Sequence, residues 1–303
     1  MEANEQIEKK EAATAKNVYV WDMDETLVLF KSLCDGTYAQ GFKEGKNVRK
    51  GMDIGRMWED LILQVCDDFF FYDHIDDYNM PYLDVLKQYD DGASLSGYDF
   101  LNDGFHSLND DSSRRKLAYR YRAIATKYEQ GLDALLDQET IHHWNELYNL
   151  SDKYTDGWLS SARTLLKQCS TSVEGPSVHS ADDKNLEHIH VLVTSGSLVP
   201  SLVKCLLFKL DDLIPHENVY SSYEVGKSQC FQRIKDRFDG PNSRFCVIGD
   251  GWEECGAAQA MQWPFVKINP HPDGPHRFPG LSSSTLRFYF DVVYNNPQSD
   301  KYD

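Results

Sequence analysis

Short apolar runs at His190–Thr194, Asn218–Tyr220, Arg244–Ile248 and Pro264–Ile268 alternate with helical patterns over Leu198–Leu207, Lys227–Phe238 and Trp252–Met261. The runs are rich in Val, Ile and aromatics, and polar or turn residues bound each of them, as expected of parallel strands buried on both faces. Strand and helix alternating at this spacing can bury their apolar faces together in one main way. That way is a parallel sheet with helices packed on both sides. A further run of the same kind, Val18–Trp21, stands far upstream. The expected fold is therefore α/β, a doubly wound parallel sheet.

The upstream strand breaks the rhythm. Between Asp22 and Thr194 strand signals are few, and amphipathic helical stretches occupy Gly55–Asp76, Arg114–Gln130, Glu139–Asn149 and Tyr154–Gln168. In the first of these, Met57, Leu61, Val65, Asp68 and Phe69 follow the three-to-four spacing of one helix face, with Asp68 the polar intruder. A helical domain inserted after the first strand accounts for the gap. The expected organisation is a polar tail over 1–16, a core made of 17–36 and 186–295, and an inserted helical cap over 37–169. A flexible linker rich in Ser, Gly and Asp over 170–185 and a tail over 296–303 complete it.

Charge narrows the partners. Asp and Glu number 48 against 31 Lys and Arg, a formal net charge of −17 in 303 residues. Such an excess repels phosphate backbones and anionic bilayers, so no direct nucleic-acid or membrane partner is expected. No apolar run approaches the ~20 residues of a membrane-spanning helix, and the first sixteen residues lack a signal peptide's apolar stretch. The seven cysteines form no CxxC pair, which argues against a disulfide framework or a zinc knuckle. These features predict a protein of the cytoplasm, the nucleus or both, not a secreted one. Acidic pairs such as Asp67-Asp68, Asp90-Asp91 and Asp211-Asp212 read as solvated surface or as a face for a basic partner.

Chemistry concentrates at the strand ends. Val18-Tyr-Val-Trp runs into Asp22-Met-Asp24-Glu25-Thr26, placing two carboxylates where α/β folds bind ligands. Side chains alternate along a strand, so a turn must begin here for both to reach one substrate. One carboxylate can attack phosphorus while the other protonates the leaving oxygen; the alternative is a plain strand-end turn. Val193-Thr194-Ser195-Gly196 ends a second strand in small hydroxyls that can donate to phosphoryl oxygens. Gly226-Lys227 opens a helix with a cation, either for a transferring phosphoryl group or for the surface. Gly249-Asp250-Gly251 adds another acid, and Glu254 follows four residues on, facing the same site. Hard carboxylates with open positions suit Mg²⁺ better than zinc.

The order DxDxT, strand-end Thr, Lys and GDxxxE resembles the haloacid dehalogenase (HAD) superfamily of phosphohydrolases. WDMDETLVLFKSLCDGTYA, DFLNDGFHS, RRKLAYRYRAI, VLVTSGSLVPSLVKCLLF, GKSQCFQRI and VIGDGWEE are more specifically similar to the Eyes absent (EYA) family, over about residues 17 to 268. Several of these blocks lie in the insertion, outside the general HAD signature. The resemblance implies an HAD-like fold and a Mg²⁺-dependent protein tyrosine phosphatase acting on phosphotyrosyl proteins. By position it implies Asp22 as nucleophile and metal ligand, and Asp24 as general acid/base whose backbone carbonyl also binds metal. Thr194 and Lys227 match the phosphate-holding positions, Asp250 the remaining metal ligand, and Glu254 the carboxylate behind it; Ser195 is a further phosphate-binding candidate, although Ser195-Gly196 differs locally from the family's second motif. Animal members carry a long transactivating N-terminal region; here residues 1–16 precede the first strand, as in the short plant-type members. In this scheme the metal keeps Asp22 ionised, while Asp24 keeps its proton in a less solvated spot.

Two other readings use the same residues: an HAD phosphatase of small molecules, and a non-enzymatic interaction or transcription-cofactor protein docking partners on the helical domain. A cysteine phosphatase is disfavoured, because no cysteine has Arg six positions later. Glu187-His188-Ile-His190 is a zinc fragment or a strand entry, and His142-His143 a surface or packing pair. Asp103-Gly-Phe-His106 reads as a tight turn or as a cap residue over the site, and Phe69–Tyr72 as core or as a phenol contact.

Overall fold

The computed structural model describes residues 15–42, 45–171 and 186–295. The linker expected over 170–185 and both expected tails lie almost wholly outside them. Strands β1 (Ala15–Trp21), β2 (Leu186–Thr194), β3 (Val219–Ser221), β4 (Ser243–Gly249) and β5 (Phe265–Lys267) form one sheet in the order β3-β2-β1-β4-β5. All pairings are parallel, with Trp21 opposite both Leu192 and Ile248. This is the expected doubly wound α/β sheet, with the order reversing at β1. The break in strand order places the β1 carboxyl end at the crevice where such sheets bind ligands.

The period-two alternation of β1 divides the core. Val18 and Val20 join Val191, Val193, Phe245 and Val247 on one face, while Tyr19 and Trp21 join Leu192, Cys246 and Ile248 on the other. The first face is covered by α9 (Lys227–Phe238) and α10 (Trp252–Met261) through Phe231, Ile234, Ala257 and Ala258. The second face is covered by α8 (Leu198–Leu207), α11 (Ser283–Tyr294) and the insertion, in one continuous apolar cluster.

Between β1 and β2 stand two short helices, α1 (Lys31–Cys34) and α2 (Thr37–Gln40), then α3 (Val48–Phe70), α4 (Tyr72–Ile75), α5 (Asp111–Gln130), α6 (Gln138–Tyr154) and α7 (Trp158–Ser170). Side-chain caps start the long ones: Asn47 accepts from Lys50 N, Asp110 from Ser113 N and Asp137 from Thr140 N. The helix expected over Gly55–Asp76 begins earlier, at Val48, and stops at Phe71, whose φ of 59° is left-handed. Its buried stripe runs through Ile54, Trp58, Leu61, Ile62 and Val65, so Asp68 is exposed and is no intruder. Helix α11 is an element that the sequence pattern did not announce. Among the described residues, no helix is long and apolar enough to cross a membrane.

Several outlying candidates are structural. Asp103 is buried against Arg120, 2.7 Å away, and accepts from Phe105 N beside the left-handed Gly104, which is the turn reading. Phe70 is fully buried in the core, and Phe69, Phe71 and Tyr72, partly buried, pack against the same cluster, which is the core reading. His142 and His143 are exposed. His190 is buried between Trp21, whose Nε1–H donates to Nδ1 at 3.0 Å, and the Leu166 carbonyl, 3.0 Å from Nε2. His188 lies near the start of β2 with its Nδ1 3.2 Å from the Tyr19 hydroxyl, so the pair serves strand entry and not zinc.

Candidate active site

The chain leaves β1 in a turn that brings its two aspartates to one cavity. Val28 N and Thr26 N both donate to Met23 O, and Glu25 takes a φ of 60°. Glu25 then staples the following loop, its Oε1 accepting from Phe30 N at 3.1 Å and Ser32 N at 3.0 Å. From the insertion, Trp158 Nε1–H donates to Thr26 O at 3.0 Å. The loop after the aspartates is thus held from both sides.

Asp22, Asp24, Thr194, Ser195, Lys227, Asp250 and Glu254 all line one open cavity of about 280 Å³ at the carboxyl end of the sheet. The strand-end residues that the sequence nominated are therefore brought together. Lys227, the first residue of α9, donates to Asp22 Oδ1 at 2.5 Å and to Glu254 Oε2 at 2.8 Å. Glu254 also accepts from Gly251 N–H, and a Cβ on Gly249 would stand 2.6 Å from Glu254 Cγ. The glycines flanking Asp250 are what let this carboxylate sit against the strand end. Thr194 is buried, and its Oγ1 accepts from Gly196 N at 3.1 Å, leaving the hydroxyl proton free to donate into the cavity.

Burial pushes the Asp22 carboxyl up to about 7, against the pull of Lys227 and with the help of Glu254. Asp250 is raised by the same two causes, burial and then Glu254. Burial also opposes the charge of Lys227, but Asp22 and Glu254 together hold its pKa above the ordinary lysine value. Glu254 lies below the ordinary value, since Lys227 outweighs its burial. The expected contrast between the two aspartates is reversed. Asp22 is the sequestered one, its side chain 9% exposed, whereas Asp24 is 33% exposed and grips Lys204 at 2.7 and 3.0 Å. The reason is position: Asp22 ends the central strand beneath its neighbours, while Asp24 has already entered the turn.

A divalent metal fits these residues. Asp22, Asp250 and Glu254 offer oxygen ligands that all lie within 4.8 Å of one another. Hard oxygen donors of this kind suit a cation of the Mg²⁺ class. Lys227 is the one basic side chain bonded to the trio among the described residues, so the cluster carries surplus negative charge that a divalent ion balances. Both Glu254 oxygens are engaged, by Gly251 and by Lys227, and Asp22 Oδ1 is held by Lys227, while Asp22 Oδ2 has, among the described residues, only the 3.4 Å contact of the Thr26 hydroxyl. No cysteine lines this cavity among the described residues.

Sequence reasoning missed two supporting residues. Lys204 meets Asp24 from α8, and Asn79 of the insertion reaches the loop that carries Thr194 and Ser195. Asn79 Oδ1 accepts from Leu198 N at 2.8 Å and its Nδ2 donates to Ser221 Oγ at 3.3 Å; Ser221 Oγ in turn donates to Gly196 O at 2.7 Å. The one local signal for Lys204 was a lysine inside the otherwise apolar helix Leu198–Leu207.

No protein-family model matches the chain. A haloacid dehalogenase-like family hydrolase from Xanthomonas campestris aligns over 93% of this chain and 100% of its own at 16% identity, with a TM-score of 0.37. The Arabidopsis thaliana protein phosphatase EYA is 58% identical over 284 residues, covering 94% of this chain and 92% of that protein. Human protein phosphatase EYA2 and the Drosophila melanogaster protein phosphatase eya are each 33% identical over 85% of this chain. The chain spans only 48% and 34% of those two animal proteins. With this identity over nearly the whole length of the plant relative, the chain belongs to the EYA family.

Proposed function

We propose that this chain is a Mg²⁺-dependent protein tyrosine phosphatase with Asp22 as its nucleophile. The observation that carries the reading is the buried Asp22 carboxylate at the end of the central strand, held by Lys227 on the floor of an open cavity. The naming of its relatives as protein phosphatases supports a phosphoprotein substrate. Asp22, the Asp24 carbonyl and Asp250 would hold the cation, which when bound supplies positive charge to the phosphate oxygens and keeps Asp22 ionised.

A carboxylate oxygen of Asp22 forms a bond to phosphorus as the bond to the tyrosyl oxygen breaks, and Asp24, having first taken up a proton from solvent, gives it to that oxygen. Lys227 and the hydroxyls of Thr194 and Ser195 donate to the equatorial oxygens, where negative charge gathers in the transition state. Asp24, now ionised, takes a proton from the water that hydrolyses the aspartyl-phosphate, and Asp22 is freed. Lys204 keeps the Asp24 side chain at the cavity rim, while Glu254 fixes the ammonium of Lys227.

Phosphate release from a phosphotyrosyl peptide, its phosphoseryl counterpart and a sugar phosphate, with Mg²⁺ and with a chelator, tests the proposal. Release that requires Mg²⁺ and is fastest on phosphotyrosine is expected. A preference for the sugar phosphate would overturn the substrate assignment, and folded protein inactive on all three would overturn the enzyme reading.

A further inference from the structure

The chain has six tryptophans, and five are buried. Trp21, Trp58, Trp144 and Trp158 also have their indole N–H groups hydrogen-bonded, to His190, Ser151, the Leu207 carbonyl and the Thr26 carbonyl. Trp252 is the exception. At 82% exposure it is the most exposed large apolar side chain among the described residues, and its N–H has no partner among them. It opens α10 directly after Asp250-Gly251, and it lines the cavity together with Asp22, Asp24 and Thr194.

Nothing in the fold requires an indole at this position. Helix α10 is fixed to the sheet by Ala257, Ala258 and Glu254, and Trp252 adds no packing to it. A large aromatic face left in water at the lip of an anion-binding cavity is the kind of surface that ligand binding covers. Its neighbours there, Asp24, Asp250 and Glu253, are acidic, so they repel anionic peptide side chains and leave an uncharged ring contact as the source of affinity. Tyr223, 65% exposed, stands on the same edge, directly after Ser222, whose N–H and hydroxyl both donate to Thr194 O.

Resting on the phosphatase reading, we propose that Trp252 is the specificity-determining residue of the site: its indole receives the phenol ring of the substrate while the phosphate group enters among Asp22, Thr194 and Lys227. Aliphatic phosphoesters bring no ring to lay against it, so the contact favours aryl esters.

The test compares Trp252→Ala and Trp252→Phe with the parent, with Mg²⁺, on a phosphotyrosyl peptide and on glycerol phosphate. Removing the indole is expected to raise KM for the peptide by about three- to tenfold relative to the aliphatic ester, the range of an aromatic pair contact, with kcat little changed. Phenylalanine should restore most of the loss. Phe288→Ala, an exposed aromatic on α11 outside the cavity lining, controls for loss of any surface ring. A second arm titrates the phosphotyrosyl peptide into Asp22→Asn protein with and without Trp252→Ala, and requires no turnover. Equal effects on both substrates, no effect on either, or equal peptide affinities in the binding arm would overturn the assignment. A parent that fails to hydrolyse the phosphotyrosyl peptide would overturn the phosphatase reading instead, and the binding arm would still decide the role of Trp252.

Discussion

Trp21 and Asp22 are adjacent in the chain, yet the polar clusters they belong to obey opposite rules. Around Trp21, burial lowers His190 to about 4, and its two ring nitrogens are assigned by their partners: Nδ1 accepts from Trp21 and Nε2–H donates to Leu166 O. Every proton has a place, and a second one on the ring would confront the tryptophan N–H. Around Asp22, carboxylates outnumber the single ammonium of Lys227, and burial raises Asp22 to about 7. In this molecule a buried polar cluster that is fully satisfied locks the fold. One left with surplus charge is where the proposed chemistry sits.

That contrast can be broken from either side. The largest effect is expected at the charged cluster, where Asp22→Asn removes the proposed nucleophile. Turnover should fall by a factor of about 10³ or more, as for other enzymes that lose one. The melting temperature should hold or rise, since a surplus charge has gone; a fall of more than a few degrees would mean that the cluster is structural. Next in size is Lys204→Met, which frees Asp24 from its tether. If Asp24 is the proposed acid/base, the tether secures its placement, and kcat should drop about tenfold with KM little moved. An unchanged kcat would show that the rim pair is ornamental.

Asp250→Asn sharpens the comparison through metal binding. Mg²⁺ should raise the melting temperature of the parent by about 1–2 °C for each 1 kcal/mol of binding linkage, and the variant should lose that response. A full response in the variant would remove Asp250 from the ligand set. The neutral cluster is read through pH. Between its ordinary value of 6.5 and its folded value of about 4, the unfolded chain binds a proton on His190 that the folded chain refuses. Stability therefore rises with pH across that window and is lost as pH falls through it, on the order of 3 kcal/mol in all. His190→Gln should lower stability at pH 7 but flatten the difference between pH 6.5 and 4, with kcat within about twofold of the parent. A parent curve with no more slope than the variant's would refute the neutral lock.

The fold core was legible because its signals are local. Helices Leu198–Leu207, Lys227–Phe238 and Trp252–Met261 stand where the pattern put them, and the strand ends carry the site residues. What was illegible depends on partners far away in the chain. Lys204 meets Asp24 across 180 positions, and Asn79 meets Leu198 across 119, so neither pairing leaves a trace in nearby sequence. Asp68 misled because it follows the apolar spacing of its helix, although Val65, Cys66 and Phe70 turn inward around it. The exposure of Asp24 was misjudged for a similar reason: spacing told where the turn begins but not how deep each carboxylate sits.

The insertion after β1 also has a cost in time. Tyr19 finds His188 only 169 positions later, and Asn17 meets Arg244 across 227. At about 5–20 residues per second on the ribosome, a strand apolar on both faces waits roughly 10 to 30 seconds for its first sheet neighbour to be synthesised. During that interval its edges are open to pairing with other nascent chains. Chaperone supply and translation rate should therefore govern the yield of active protein far more than its equilibrium stability does.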